Sequence, residues 1–137
     1  MTTIATVRAD LATIASTITD WYGVAYVGDQ INPGAIIVTR PEFSPWMTFS
    51  GSKVEHTFRL IAYAARGGSI SSEAALDALA ESSGSGSLIA AVQTGSNWIT
   101  STIDYAQVVS VGQVQVTTFG LDATEYLACS FDVKVVW

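Results

Sequence analysis

The chain has 137 residues, 49% of them hydrophobic and only 13% charged, and a formal net charge of −6; the length suits one domain with a buried core, and the charge content is well below the ~25% of an average globular domain. Wrapping or reading nucleic acid needs a basic face, which a net-acidic chain with six scattered cations (Arg8, Arg40, Lys53, Arg59, Arg66, Lys134) does not offer, and a single cysteine excludes an internal disulfide and a cysteine-rich zinc site. Residues Met1 to Arg8 show no charged segment leading into an apolar core, and no run approaches the ~18 apolar residues of a membrane span, so a soluble protein without a membrane partner is expected.

From Thr3 to about Thr19 the large apolar residues Ile4, Val7, Leu11, Ile14 and Ile18 repeat at three-four spacing, which predicts one amphipathic helix. Thr2 or Thr3 suits its N-cap, and Asp20 and Gly23 suit its end. The period then becomes two. Val24–Val27 reads as a short strand, the turn-rich stretch Gly28 to Gly34 as a connection, and the apolar run Ala35–Thr39 as a buried strand. Pro41 and Pro45 bracket an irregular stretch before Trp46–Phe49. Ser50-Gly51-Ser52-Lys53 reads as a hairpin tip and Val54–Ala65 as a long strand. On that strand His56, Phe58, Leu60, Ala62 and Ala64 share one face.

Gly67-Gly68 breaks the strand. A serine among Ser69, Ser71 and Ser72 then caps a second helix running to about Glu81, and Ser82–Ser87 interrupts it before a last turn or two at Leu88–Val92. Ile103–Thr118 is expected to pair with Glu125–Trp137 around a turn at Gly120–Thr124. The last strand alternates, with Leu127, Cys129, Phe131, Val133, Val135 and Trp137 on one side. The predicted order is α-β-β-β-β-α-β-β. Hairpins dominate it, so the expected fold is a single α+β domain over residues 1–137: a mainly antiparallel sheet with two helices packed on one face.

The titratable residues suggest little chemistry. A Ser-His-Asp or Cys-His site would have to use His56, the one histidine, and any thiol would be Cys129. Both fall on inward faces of predicted strands, so a core histidine and an inert core thiol are the simpler reading. Ser83-Gly84-Ser85-Gly86 follows a helix and precedes no lysine, unlike a phosphate loop. No catalytic, cofactor-binding or metal residues are expected, and the chain reads as non-enzymatic.

Two stretches remain as candidate sites. Glu73, Asp77 and Glu81 recur every four residues as a negative ridge along the second helix, and Asp122 and Glu125 add a carboxylate pair in a turn. A plain solvated face is the simpler reading of the ridge, and Asp is a good turn former; the functional alternative is an acidic face toward a lumen. The hairpin from Trp46 to Phe58 is the candidate docking element: Ser50, Gly51, Ser52 and Lys53 form a polar tip, and Trp46, Phe49 and Phe58 stand in its arms. The alternative is an ordinary hairpin whose aromatics fold back onto their own subunit.

The order of motifs resembles the tail terminator proteins of long-tailed, siphovirus-type phages that infect actinobacteria. The resemblance is carried by Ile31-Asn32-Pro33-Gly34-Ala35 before an apolar strand, and by Thr48-Phe49, Gly51, Glu55 and Thr57-Phe58 around the long strand's start. It continues through the Ser/Gly-interrupted helix, Leu76-Asp77-Ala78-Leu79 to Leu88-Ile89-Ala90-Ala91, and the closing strand, Glu125-Tyr126-Leu127-Ala128 with Phe131-Asp132-Val133. It spans nearly the whole chain and departs from the family pattern at Gly34, where a proline is common, and at Ser50 and Ser52-Lys53, where the tip is more charged. The resemblance implies a virion protein made in the host cytoplasm, one subunit of a hexameric ring at the tail–neck junction. Such a ring caps the tail tube and joins it to the head connector, and DNA passes through it without specific binding. Its partners would be its own copies, the tail tube protein and the head–tail connector proteins, with no cofactor and no catalytic residue. The alternatives are another neck or tail ring protein (head-completion, stopper or tail tube subunit) and a small non-catalytic ligand-binding domain.

Overall fold

The computed structural model describes residues 2–28, 31–39, 48–49, 53–66, 69–120 and 124–137. Helix α1 (Ile4–Ser16) begins where its capping chemistry allows. Thr3 Oγ1 accepts from the Thr6 N–H (3.2 Å), and Thr6 Oγ1 accepts in return from the Thr3 N–H (2.8 Å), so two amides that a helix start leaves unpaired are satisfied. Val7, Leu11 and Ile14 are fully buried, as the apolar stripe predicts. The helix stops earlier than the stripe does. Hydroxyls of Thr13, Ser16 and Thr17 donate to the carbonyls of Ala9, Ala12 and Ile14, a competition that disfavours further helix, and Ser16 Oγ also accepts from the Gly23 N–H (2.8 Å). Gly23 lies so close to α1 that a Cβ there would stand 1.9 Å from the Ala12 carbonyl oxygen. Only glycine permits that approach.

The strands are β1 (Tyr22–Val24), β2 (Ala35–Val38), β3 (Thr48–Phe49), β4 (Lys53–Ala65), β5 (Tyr105–Val111), β6 (Gln115–Phe119) and β7 (Thr124–Val136). Across the sheet they run β1-β2-β4-β7-β5, with β6 beside β5 along the same flank of β7 and the two-residue β3 on β4. Only β1–β2 is parallel; the other pairs are antiparallel. The molecule is a single α+β domain with a mainly antiparallel sheet, as expected. The described residues form three α-helices in place of two: α2 (Ser69–Leu79) ends before the serine-rich segment, and Ser87 N-caps a separate α3 (Leu88–Gln93) by accepting from the Ala90 N–H. All three lie on one face. Val7, Leu11, Leu76, Leu79, Leu88 and Val92 join Phe58, Leu60, Phe131 and Val133 in one core. Burial of such side chains stabilises by roughly 1.5–3 kcal/mol each before entropy is counted.

Strands β4 and β7 form the spine, paired from Glu55↔Val136 to Ala65↔Tyr126. Their alternation matches the sequence reading on the helix side. The opposite face is less polar than alternation suggests: Tyr63, Tyr126 and Ala128 are buried there with Ile37, the half-buried Phe119 packs against them, and Tyr126 Oη donates to the Ile31 carbonyl (3.0 Å).

Two strand boundaries differ from expectation. The first strand occupies Tyr22–Val24 and not Val24–Val27, because Arg8 takes hold of the chain beyond it. Its Nε donates to the Ala25 carbonyl (2.8 Å), its Nη2 to the Val38 carbonyl (3.0 Å), and its guanidinium lies 4.2 Å over the Tyr26 ring. The stretch expected as one strand, Ile103–Thr118, is two. The register shifts at Val109 between Val108↔Val133 and Ser110↔Asp132, and Gly112–Val114 separates β5 from β6.

Candidate functional site

The candidate docking hairpin is built at its base as expected. Thr48 pairs with Val54 and Phe49 with Lys53, which makes Ser50, Gly51 and Ser52 the connection; those three and Trp46 lie outside the described residues. Phe58 does not belong to a docking surface. It is fully buried against the helices, with the Trp137 ring 6.5 Å away. Nor does the length of β4 project from the domain: from Glu55 to Ala65 every residue pairs with β7.

The candidate acidic residues that are described lie on more than one element. Glu73 and Asp77 are exposed on α2, and Glu81 is exposed past the helix end. Glu125 is on β7 and ion-paired with Arg66, and Asp122 lies outside the described residues. Asp77 is close enough to act on Cys129, whose thiol is pushed up chiefly by burial and then by that carboxylate. A raised thiol is a poor nucleophile. Cys129 Sγ faces the Gly112 carbonyl at 3.3 Å.

His56 stands on the same buried face, its ring 4.9 Å from Trp137, and burial lowers its pKa. It pairs with Val135, six residues along β7 from Cys129, so roughly 20 Å of strand separates the thiol from the imidazole. They form no Cys-His pair. Among the described residues no group of three His, Cys, Asp or Glu side chains could hold a metal ion, and no described helix is long and apolar enough to cross a membrane.

Two buried charges escaped the sequence reading. Arg8 clamps β1 and β2 as described. Asp10, 2% exposed, accepts from the Ser101 N–H (2.7 Å) and from the Thr100 N–H (3.2 Å), and Thr2 and Thr102 bond each other alongside. Together these fix the segment that enters β5. Beside that segment, between α3 and β5, lies an open cleft of about 480 Å³ lined by Trp98, Ile99, Ser101, Ile103 and Tyr105 among others. Asp10 left a signal in the sequence: it stands three residues after Val7 and four before Ile14, inside the apolar stripe of α1.

The flank formed by β5 and β6 is the most unusual surface. No charged residue and no proline occurs from Tyr105 to Phe119, and no strand pairs with its outer side among the described residues. Tyr105, Val109, Val111 and Val116 are exposed along it. Natural sheet edges are usually blunted by charge or proline; a bulge at Val109 bends this one, but its chemistry stays open to a further strand.

No protein-family model matches this chain, and no curated protein matches it.

Proposed function

We propose that this chain is a non-enzymatic structural subunit of a phage virion. It forms a ring that caps the tail tube and joins it to the head connector. The reading is supported by the ordered motifs from Ile31 to Val133 that resemble tail terminators. The observation that carries the assembly half is the uncharged, apolar outer flank of β5 and β6 on a chain with so few charges. A surface of that kind suits burial against another subunit. Each copy buries on the order of 1,000 Å² or more with its neighbours. The exposed carboxylates of Glu73 and Asp77 suit a wall past which DNA slides, and Arg8, spent on internal bonds, adds no phosphate-binding charge.

Reconstruction of the virion that carries this protein tests the reading. Six copies at the tail–neck junction are expected, and particles lacking the protein should accumulate as unjoined heads and tails. A single copy per particle, five-fold symmetry, or a continuous tube of subunits along the tail would overturn it.

A further inference from the structure

The exposed large apolar side chains of the described residues are not spread over the molecule. Tyr105, Val109, Val111 and Val116 line the β5–β6 flank, with Ile99 beside it at 77% exposure. The others, Tyr22, Tyr26 and Val27, belong to β1 and the loop that continues it. These are the two opposite edges of one sheet, since β1 ends the strand order on one side and β5 on the other. Both edges are free of charge in sequence: Trp21–Gly28 contains no Asp, Glu, Lys or Arg, and neither does Tyr105–Phe119.

Facing pairs on a ladder project to one side, so Val111 opposite Phe131 and Val116 opposite Leu127 point toward the helical layer. Phe131 and Leu127 are covered there and the two valines are not. Helix α3 packs on the first part of β5, where Ala106 and Val108 meet the core, and the helices leave the Val111 end and Val116 exposed. Among the described residues nothing covers the two valines, so a neighbour can.

From these observations we infer that copies of this chain join head to tail, the β5–β6 edge of one subunit lying against the β1 edge of the next. The occupant of each edge is a second copy of the same chain. Two arguments favour a copy over a different partner. Each subunit is at −6, so copies repel except where they meet through surface without carboxylates: Tyr105–Phe119 carries no charge, and the charged group lying on Tyr26 at the β1 edge is the largely buried Arg8 guanidinium. The apolar groups also sit on two different patches at opposite ends of the sheet, which is the arrangement that a heterologous contact needs; an isologous dimer would need only one. The inference rests on the reading of the chain as a self-assembling ring subunit, and names the contact that closes the ring.

The test uses purified full-length chain, with mass read by light scattering across a concentration series. Wild type should self-associate. Val116→Lys on one edge and Val27→Lys on the other should each weaken association on the order of tenfold or more, because each places an unpaired charge in a surface that must desolvate. Both sites are more than half exposed, so folding should survive, and circular dichroism checks it. An equimolar mixture of the two variants retains one intact contact per pair and should give dimers and nothing larger. Hydrogen exchange on wild type is a second readout that needs no variant: amides of β5 and of residues 22–27 should both gain protection as concentration rises.

If Val27→Lys assembles like wild type while Val116→Lys does not, the contact is isologous and the inference fails. It fails also if wild type stays monomeric, or if both variants assemble unchanged. The last outcome leaves the ring reading standing. Mixing behaviour as expected, with wild type growing into open filaments, would keep the edges and overturn the ring.

Discussion

Strands β4 and β7 and the tandem β5–β6 arise from stretches of comparable length and similar apolar character, yet they behave differently. Each of the first two runs 13 residues without interruption. Each has partners on both sides, so its side chains must alternate between the helical layer and the opposite face. The β5–β6 stretch pairs on one side only and absorbs an extra residue at Val109 and an interruption at Gly112–Val114. A strand held on both flanks cannot slip without turning its whole apolar set outward, whereas a strand held on one flank can. That freedom is what leaves Val111 and Val116 on the helix side of the sheet but uncovered.

Truncating matched side chains in the two regions should give the largest difference. Phe131 on β7 is fully buried, and Phe131→Ala should cost about 3–5 kcal/mol through lost burial and the cavity left behind. Val116→Ala on β6 is a surface change and should stay within about 0.5 kcal/mol. Urea denaturation measures both. Comparable losses at the two sites would show that the edge is as tightly packed as the spine.

Next in size is the tie that anchors the start of β5 to α1. Asp10→Ala leaves the Thr100 and Ser101 amides without their acceptor, at a cost of about 1–3 kcal/mol. The loss should be local as well as global, with faster hydrogen exchange at residues 100–106 than in β7. Uniform acceleration through the whole sheet would contradict a role in anchoring one edge.

The same contrast explains what could be read in advance. The alternation of β4 and β7, the stripe from Val7 to Ile18 and a threonine cap all obey local periodicity, and each was visible in the sequence. The split of Ile103–Thr118 was not, because a bulge is set by its partner: an added Cβ at Gly112 would meet Ser130 Oγ at 2.5 Å, a residue 18 positions away. The burial of Arg8 was hidden for a similar reason, its acceptors being Ala25 and Val38. In the candidate docking hairpin, Phe58 stood on the inward face with Leu60 and Ala62, so its burial was already implied. Its place beside Trp46 and Phe49, as aromatic mass in the arms of the hairpin, is what suggests a surface role. The acidic ridge was legible as exposed residues at Glu73 and Asp77, while the pairing of Glu125 with Arg66 depends on β7 lying beside the end of β4.

A smaller effect is expected from His56 at the far end of the spine. Burial holds its pKa below the ordinary value near 6.5, so the folded state prefers the neutral ring. The unfolded chain then takes up the proton first. Stability from this group is fully present above pH ~6.5 and falls as pH drops toward the lower, folded value. Denaturation midpoints between pH 8 and 5 should decline in wild type and flatten in His56→Phe. An unchanged slope in that variant would assign the decline to other groups.

The least effect should come from the place where spine and edge meet on the side away from the helices. Asp132 on β7 takes hydrogen bonds from Arg59 of β4 (2.9 Å) and from Ser110 of β5, just past the bulge (2.9 Å). The Arg59 hydrogen bond, with help from Ser110 and the guanidinium charge, outweighs partial desolvation and lowers the Asp132 pKa. Since the folded value lies below the unfolded one, the contribution is complete above pH ~4 and is lost as pH falls through the folded pKa. Arg59 is 60% exposed, so screening keeps the pair under about 1 kcal/mol. Asp132→Asn should therefore barely change the midpoint at pH 7 and should remove only part of the acid-side slope. Ser110→Ala separates the two regions, because it frees β5 from the carboxylate while the link between β4 and β7 remains. If the edge is held mainly by its own ladder, exchange rates in β5 will match wild type. If the side-chain bond pins the bulge, amides from Val109 to Gly112 will open faster while β4 and β7 stay protected.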